Sequence, residues 1–149
     1  MSNESVVETL RHQKQIRILG DLFIKSLTER LQSHDDTKLE SPEIEGFDAM
    51  ANTIDNITYG SEADKAAKEL LSVALTHHYA RERHHPEHFD NGIEDMNLVD
   101  LVEHFLDCMA SSLRHNDGNF RKSLETNQKR FGYSVELTKI FGNTINLLD

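Results

Sequence analysis

The chain has 149 residues, one cysteine, nine histidines and no tryptophan, and its 26 acidic residues against 16 basic ones give a formal charge of −10. That length suits one compact domain with its own core, while the acidity disfavours duplex nucleic acid, whose phosphates require clustered Lys and Arg. Cys108 stands alone, so no intramolecular disulfide forms and a reducing, cytoplasmic setting is expected.

The first ten residues, MSNESVVETL, lack the basic start and apolar run of a signal peptide. No stretch approaches the ~18 apolar residues of a membrane span, so no membrane association is expected. The pattern then reads as nearly all helix. Val6, Leu10, Ile16, Leu19, Phe23, Leu27 and Leu31 repeat at helical intervals, predicting one long amphipathic helix over about 4–33. Ser41 before Pro42 reads as a cap with proline at the first helical position, opening a second helix that fades near Gly60. Ser61 with Asp64 resembles a capping box and opens a third helix through Ala67, Leu70, Leu71, Ala74 and Leu75.

Pro86 disfavours helical geometry at His85, so RHHPEHFDNGIEDM is expected to be mostly loop. Asn97 caps a fourth helix carrying Leu98, Leu101, Val102, Phe105, Met109 and Leu113, and RHNDGN ends it. Shorter helices follow over about 119–131 and 134–148, with Gly132 as the C-cap between them. The expected architecture is a single all-α helical bundle spanning 1–149, and self-association is open for a domain of this kind.

Two histidines fall on apolar stripes. His12 precedes Ile16, Leu19 and Phe23 at one-face spacing, and His78 follows Ala67, Leu71 and Ala74 in the same way. His84 and His85 lie seven residues after His77 and His78. The first helix closes on His34–Asp35. Imidazole and carboxylate are the usual ligands of Zn, Fe and Mn, and a bundle with inward His and Asp from several helices holds one or two such ions. A single inward histidine is more often a core residue, but these features together favour a metal site. One geometric conflict arises: a straight helix separates His12 from His34 by roughly 30 Å at about 1.5 Å per residue. Shared ligation therefore requires a break, with Gly20 as the expected hinge.

The order of an inward helical His, a His-Asp pair and a later helical Asp resembles the HD superfamily of metal-dependent phosphohydrolases. The resemblance implies an HD-domain-like fold and assigns His12, His34, Asp35 and Asp107 as metal ligands. HDDTK, beginning at His34, is similar to the HD-x-x-K form of cyclic-dinucleotide phosphodiesterases and of related di-iron oxygenases, in which further histidines complete a two-metal site. His78 and His85 are the matching residues here, with His84 as a substitute. HHPEHFDNGI is similar to the His-His-Glu and Asp-Gly loop of the phosphodiesterase group but lacks the following Gly-Tyr-Pro. HHYARERHHPEHFDNGIEDM and LRHNDG resemble a family of small uncharacterised phage and bacterial proteins. Asp107 lies opposite the apolar stripe of its helix, beside Asp100, Glu103 and Ser111, so that face is either solvated or lines a polar pocket. Asp100 and Glu103 are fallback ligands.

The implied activity is hydrolysis of a phosphoester of a nucleotide or related small molecule. One or two divalent transition ions (Fe, Mn, Co, Ni or Zn) would activate the water. Asp35 would serve at the metal, Lys38 would hold a phosphoryl oxygen, and Glu87 or Asp36 would move a proton. Arg81, Arg83 and Arg114 are further phosphate candidates. A di-iron oxygenase and a non-enzymatic acidic protein-binding module are the alternatives.

Overall fold

The computed structural model describes residues 3–56, 61–113 and 119–148, among which every regular element is helical and no strand occurs. None of these helices is long and apolar enough to cross a membrane. The chain divides into two compact units, Met1–His34 and Asp35–Asp149.

The first unit is a single helix, α1, running unbroken from Asn3 to Gln32 with no buried residue. Its predicted extent is borne out, but the expected hinge is not. Gly20 sits mid-helix with nothing within 4 Å of where a Cβ would stand, so neither crowding nor an inserted group bends the chain there. The exposed Glu8–Arg11 and Lys25–Glu29 ion pairs follow helical spacing and contribute little at such exposure.

The second unit opens with a short 3-10 turn, Asp36–Leu39, and continues through α2 (Glu43–Asn56), α3 (Glu62–Arg81), α4 (Leu98–Ser112), α5 (Phe120–Phe131) and α6 (Val135–Leu148). Helix α2 begins at Glu43, one residue after the predicted start, and the backbone N–H groups of Glu43 and Ile44 both donate to the Glu40 carbonyl. Ser61 caps α3, its hydroxyl accepting from the Asp64 N–H at 3.2 Å. Ala67, Ala74 and His78 form the buried stripe of α3, as their spacing predicts. Gly46 is why α2 packs so closely on that stripe: a Cβ there would stand 2.4 Å from Ala74 Cβ and 2.7 Å from the Leu70 carbonyl oxygen.

The chain between α3 and α4 is irregular, as Pro86 dictates, with 3-10 turns at Pro86–His88 and Gly92–Asp95. Asn97 then closes a capping box with Asp100 at the start of α4. Gly132 ends α5 with φ 70°, the left-handed conformation that glycine adopts without a Cβ penalty. The apolar core lies among α4, α5 and α6, where Phe105, Leu124, Tyr133, Phe141 and Ile145 are buried together. Phe105 and Phe141 pack with ring centroids 4.8 Å apart, and Tyr133 meets Phe141 edge-on at 5.3 Å. The largest fully buried side chains lie outside this aromatic cluster, and all six are polar: His78, His84, His104, Glu43, Glu103 and Asp100.

The two glycines give opposite predictions. Gly46→Ala forces α2 from α3 and destabilises the protein by about 1–3 kcal/mol, read as a lower urea midpoint. Gly20→Ala stabilises α1 locally by about 0.5–1 kcal/mol, read as slower amide exchange along α1. A loss of protection there would restore the hinge.

Candidate metal centre

The buried polar residues converge because three elements each present a short polar run to one point. Helix α3 carries His77 and His78 near its C-terminal end, the following loop supplies His84 and His85, and Asp35 immediately precedes the 3-10 turn. Asp35 adopts φ 62° and ψ 13°, a left-handed conformation that aspartate tolerates better than most residues. Its Oδ1 lies 3.3 Å from His78 Nε2 and 3.6 Å from His84 Nε2. His78 Nε2 in turn stands 3.0 Å from His85 Nε2. One ligand atom from each of Asp35, His78, His84 and His85 falls within 4.8 Å of all the others.

The outer nitrogens of the three rings face carboxylates. His78 Nδ1–H donates to Glu43 Oε2 at 2.8 Å. His84 Nδ1 stands 3.5 Å from Glu103 Oε1 and 3.7 Å from Glu82 Oε2, and His85 Nδ1 is 3.9 Å from Glu87 Oε2. Only the first is a hydrogen bond by distance; the others set the sign of the local field. The Glu43 bond fixes the proton of His78 on Nδ1, leaving the Nε2 lone pair aimed at Asp35 and His85. A carboxylate behind an imidazole with the opposite nitrogen directed inward is the supporting arrangement of metal-ligating histidines.

Glu43 is fully buried and is held by three donors. His77 Nδ1–H donates at 2.7 Å, and Thr37 Oγ1–H at 2.9 Å joins His78 on Oε2. Burial works to raise its carboxyl pKa, but the hydrogen bonds from His77, Thr37 and His78 outweigh it and hold the group below its usual value. Burial, reinforced by the neighbouring His84 and His78 and opposed by Asp107, pushes His85 down to about 3. The His85 ring is therefore neutral at pH 7, the state that binds metals.

Clamps around the cluster fix the loop. Arg83 makes a two-pronged bond to Asp100, at 3.0 and 2.8 Å, and its guanidinium lies over the Phe89 ring. His104 Nδ1–H donates to the His84 carbonyl at 2.9 Å, and its Nε2 accepts from the Tyr133 hydroxyl at 2.5 Å. The His84–His85 segment is thereby fastened to α4 from both sides.

Asp35, His78, His84 and His85 meet as the sequence suggests, and a carboxylate oxygen of Asp107 lies within 4.8 Å of one from Asp35. Lys38 Nζ donates to Asp35 Oδ2 at 2.6 Å. Glu87 lies beside His85 and accepts from Arg130 at 2.9 Å. His34 is the last residue of the first unit, one peptide bond before Asp35. His12 corrects the sequence reading: it is exposed on the unbroken α1, and roughly 30 Å of helix at about 1.5 Å per residue keeps it from His34. Arg81 is exposed at the end of α3, Arg83 serves Asp100 rather than a ligand, and Arg114 lies outside the described residues. Asp100 is likewise structural, taken by Arg83 and by the cap of α4.

Sequence reasoning missed Glu43, which reads as an ordinary acidic residue at a helix start. It also missed Arg130, one cation among several on α5. A signal for the polar face of α4 was present. Asp100, Glu103, His104 and Asp107 recur at three- and four-residue intervals within an otherwise apolar helix, and the first three are fully buried.

Burial pushes His104 down to about 4 from the ordinary 6.5, against the opposing bond to the His84 carbonyl. The unfolded chain takes up that proton first, so stability is full above about pH 6.5 and falls by up to about 3 kcal/mol as the pH drops toward 4. Urea midpoints measured across that window should decline in the wild type and decline less in His104→Gln.

Searches of curated proteins and of solved structures gave no match to this chain. A protein-family model does match residues 1–148, which is nearly the whole sequence, and the chain belongs to that family, DUF5662, a family of unknown function.

Proposed function

We propose that this protein is a metal-dependent phosphohydrolase of the HD type, acting on a phosphoester of a nucleotide or related small molecule. The observation that carries the reading is the inward convergence of the His78, His84 and His85 Nε2 side on Asp35 Oδ1, with carboxylates behind each ring. The donor set is nitrogen and oxygen without thiolate, which suits Fe, Mn, Co, Ni or Zn. Asp35, His78, His84, His85 and Asp107 would hold one or two ions. A divalent ion in such a site lowers the pKa of a water and polarises a phosphoryl oxygen.

The remaining roles fall to the chain itself. Lys38, ion-paired to Asp35, meets the charge of a phosphoryl group beside the cluster. Glu87, next to His85, takes the proton-transfer role. Glu43 touches no substrate; it positions His78 by holding the proton on Nδ1.

Elemental analysis after incubation with Mn, Fe or Zn tests the reading. Wild type should retain near-stoichiometric metal, and His78→Ala and Asp35→Ala should lose it together with phosphate release from a nucleotide panel. Glu43→Gln should bind the same ion about 10–100-fold more weakly. Oxygen uptake with iron and no phosphate release would replace hydrolysis by oxygenase chemistry. Wild type that stays metal-free would overturn both and leave a binding module.

A further inference from the structure

Beside the histidine cluster lies a cleft of about 280 Å³ lined by residues from four directions. His85 and Lys38 form its wall on the cluster side, and α4 contributes Asp107, Cys108 and Ser111. Helix α5 contributes Ser123, Asn127 and Arg130, which stand four and three residues apart and therefore share one face of the helix. Tyr79 and Phe131 supply ring surface.

The lining has a definite chemical character. Two cations, Lys38 and Arg130, stand with hydroxyl and amide groups able both to donate and to accept, and Asp107 is an acceptor. Arg130 donates to Glu87 through one terminal nitrogen, whereas a guanidinium carries five N–H donors in a fork that matches phosphate oxygens. Its planar group also lies over the Phe131 ring, 4.5 Å from the centroid, which fixes its orientation. The nucleophilic residue present is not built for covalent work. Burial, with Asp107 adding to it, pushes the Cys108 thiol up to about 12, so it stays protonated and acts as wall.

Size limits the occupant. Pockets for small ligands typically span about 300–1,000 Å³, and this cleft, at about 280 Å³, falls just below that range. A nucleoside triphosphate exceeds it, while a bare phosphate leaves the α5 hydroxyl and amide groups without a purpose.

From this lining we propose that the cleft is the substrate pocket for a compact phosphomonoester bearing hydroxyl groups, of sugar-phosphate size, with Arg130 as the phosphate-binding residue and Asn127 with Ser123 reading the hydroxyls. The inference deepens the hydrolase reading and rests on it for the placement of the phosphate toward Lys38 and the histidine cluster. It assigns substrate recognition to α5, which carries none of the candidate metal ligands.

Calorimetric titration of the full-length protein with ribose 5-phosphate, inorganic phosphate and ribose, each with and without chelator, tests it. Ribose 5-phosphate should bind at least tenfold more tightly than either fragment. Arg130→Ala should weaken ribose 5-phosphate and inorganic phosphate at least tenfold. Asn127→Ala should weaken ribose 5-phosphate severalfold and leave inorganic phosphate unchanged, and neither variant should change metal content. Absence of ribose 5-phosphate binding in both conditions, or wild-type binding by both variants, overturns the pocket. Wild type that takes up no Mn, Fe or Zn yet binds ribose 5-phosphate through Arg130 would refute the hydrolase reading and leave the pocket standing; metal retention without ligand binding would do the reverse.

Discussion

Glu43 is the residue on which the second unit turns. A fully buried carboxylate is costly unless every oxygen is engaged, and here the 3-10 turn supplies Thr37 while α3 supplies His77 and His78. Two segments, the adjoining turn and the distant end of α3, are tied to one group at the start of α2. Gly46, one turn further along α2, lets that helix lie against Ala74 closely enough for the bonds to form. An apolar replacement of matched shape would relieve the desolvation cost, yet it would also release the proton of His78. The stability of this region and the direction of its lone pairs are therefore set by the same contacts.

The consequence is a domain with a divided interior. Aromatic packing among α4, α5 and α6 supplies the apolar core, while the region between α3 and α4 is filled by histidines and carboxylates. Hydrogen bonds and ion pairs account for the rigidity of this polar half: Arg83 on Asp100, His104 between the His84 carbonyl and Tyr133, Lys38 on Asp35. Asp35 in a left-handed conformation belongs to the same economy, since such backbone is kept where surrounding contacts over-determine it and is concentrated at functional sites. The proposed ligation and recognition would fall to neighbouring surfaces, the cluster on one side of the cleft and α5 on the other.

Much of the helical plan was legible from local signals. Ser61, Asn97 and Gly132 act as caps where their side chains or backbone freedom predict, and His78 follows Ala67 and Ala74 inward by spacing alone. Periodicity misled at His12, because an apolar stripe indicates which face seeks cover and not that cover exists; no residue of α1 is buried. The hinge at Gly20 follows only from a ligand role shared by His12 and His34, and nothing local to Gly20 demands it. Glu43 was illegible for a different reason. Its partners lie 34 and 35 residues away, and a glutamate at a helix start already has a sufficient local explanation in the helix dipole. Arg130 was hidden likewise, since the cleft that gives it meaning exists only once α4 and α5 are packed.

The most direct test is long-range ¹H–¹⁵N NMR of the imidazole nitrogens, recorded before and after addition of Zn(II). Expected is His78 as the Nδ1–H tautomer with an unprotonated Nε2, followed on Zn(II) addition by a large shift of the Nε2 resonances of His78, His84 and His85 and no shift at His12. A His78 proton on Nε2, or Nε2 resonances unmoved by Zn(II), would contradict the inward-facing ligand set from which the proposed chemistry follows.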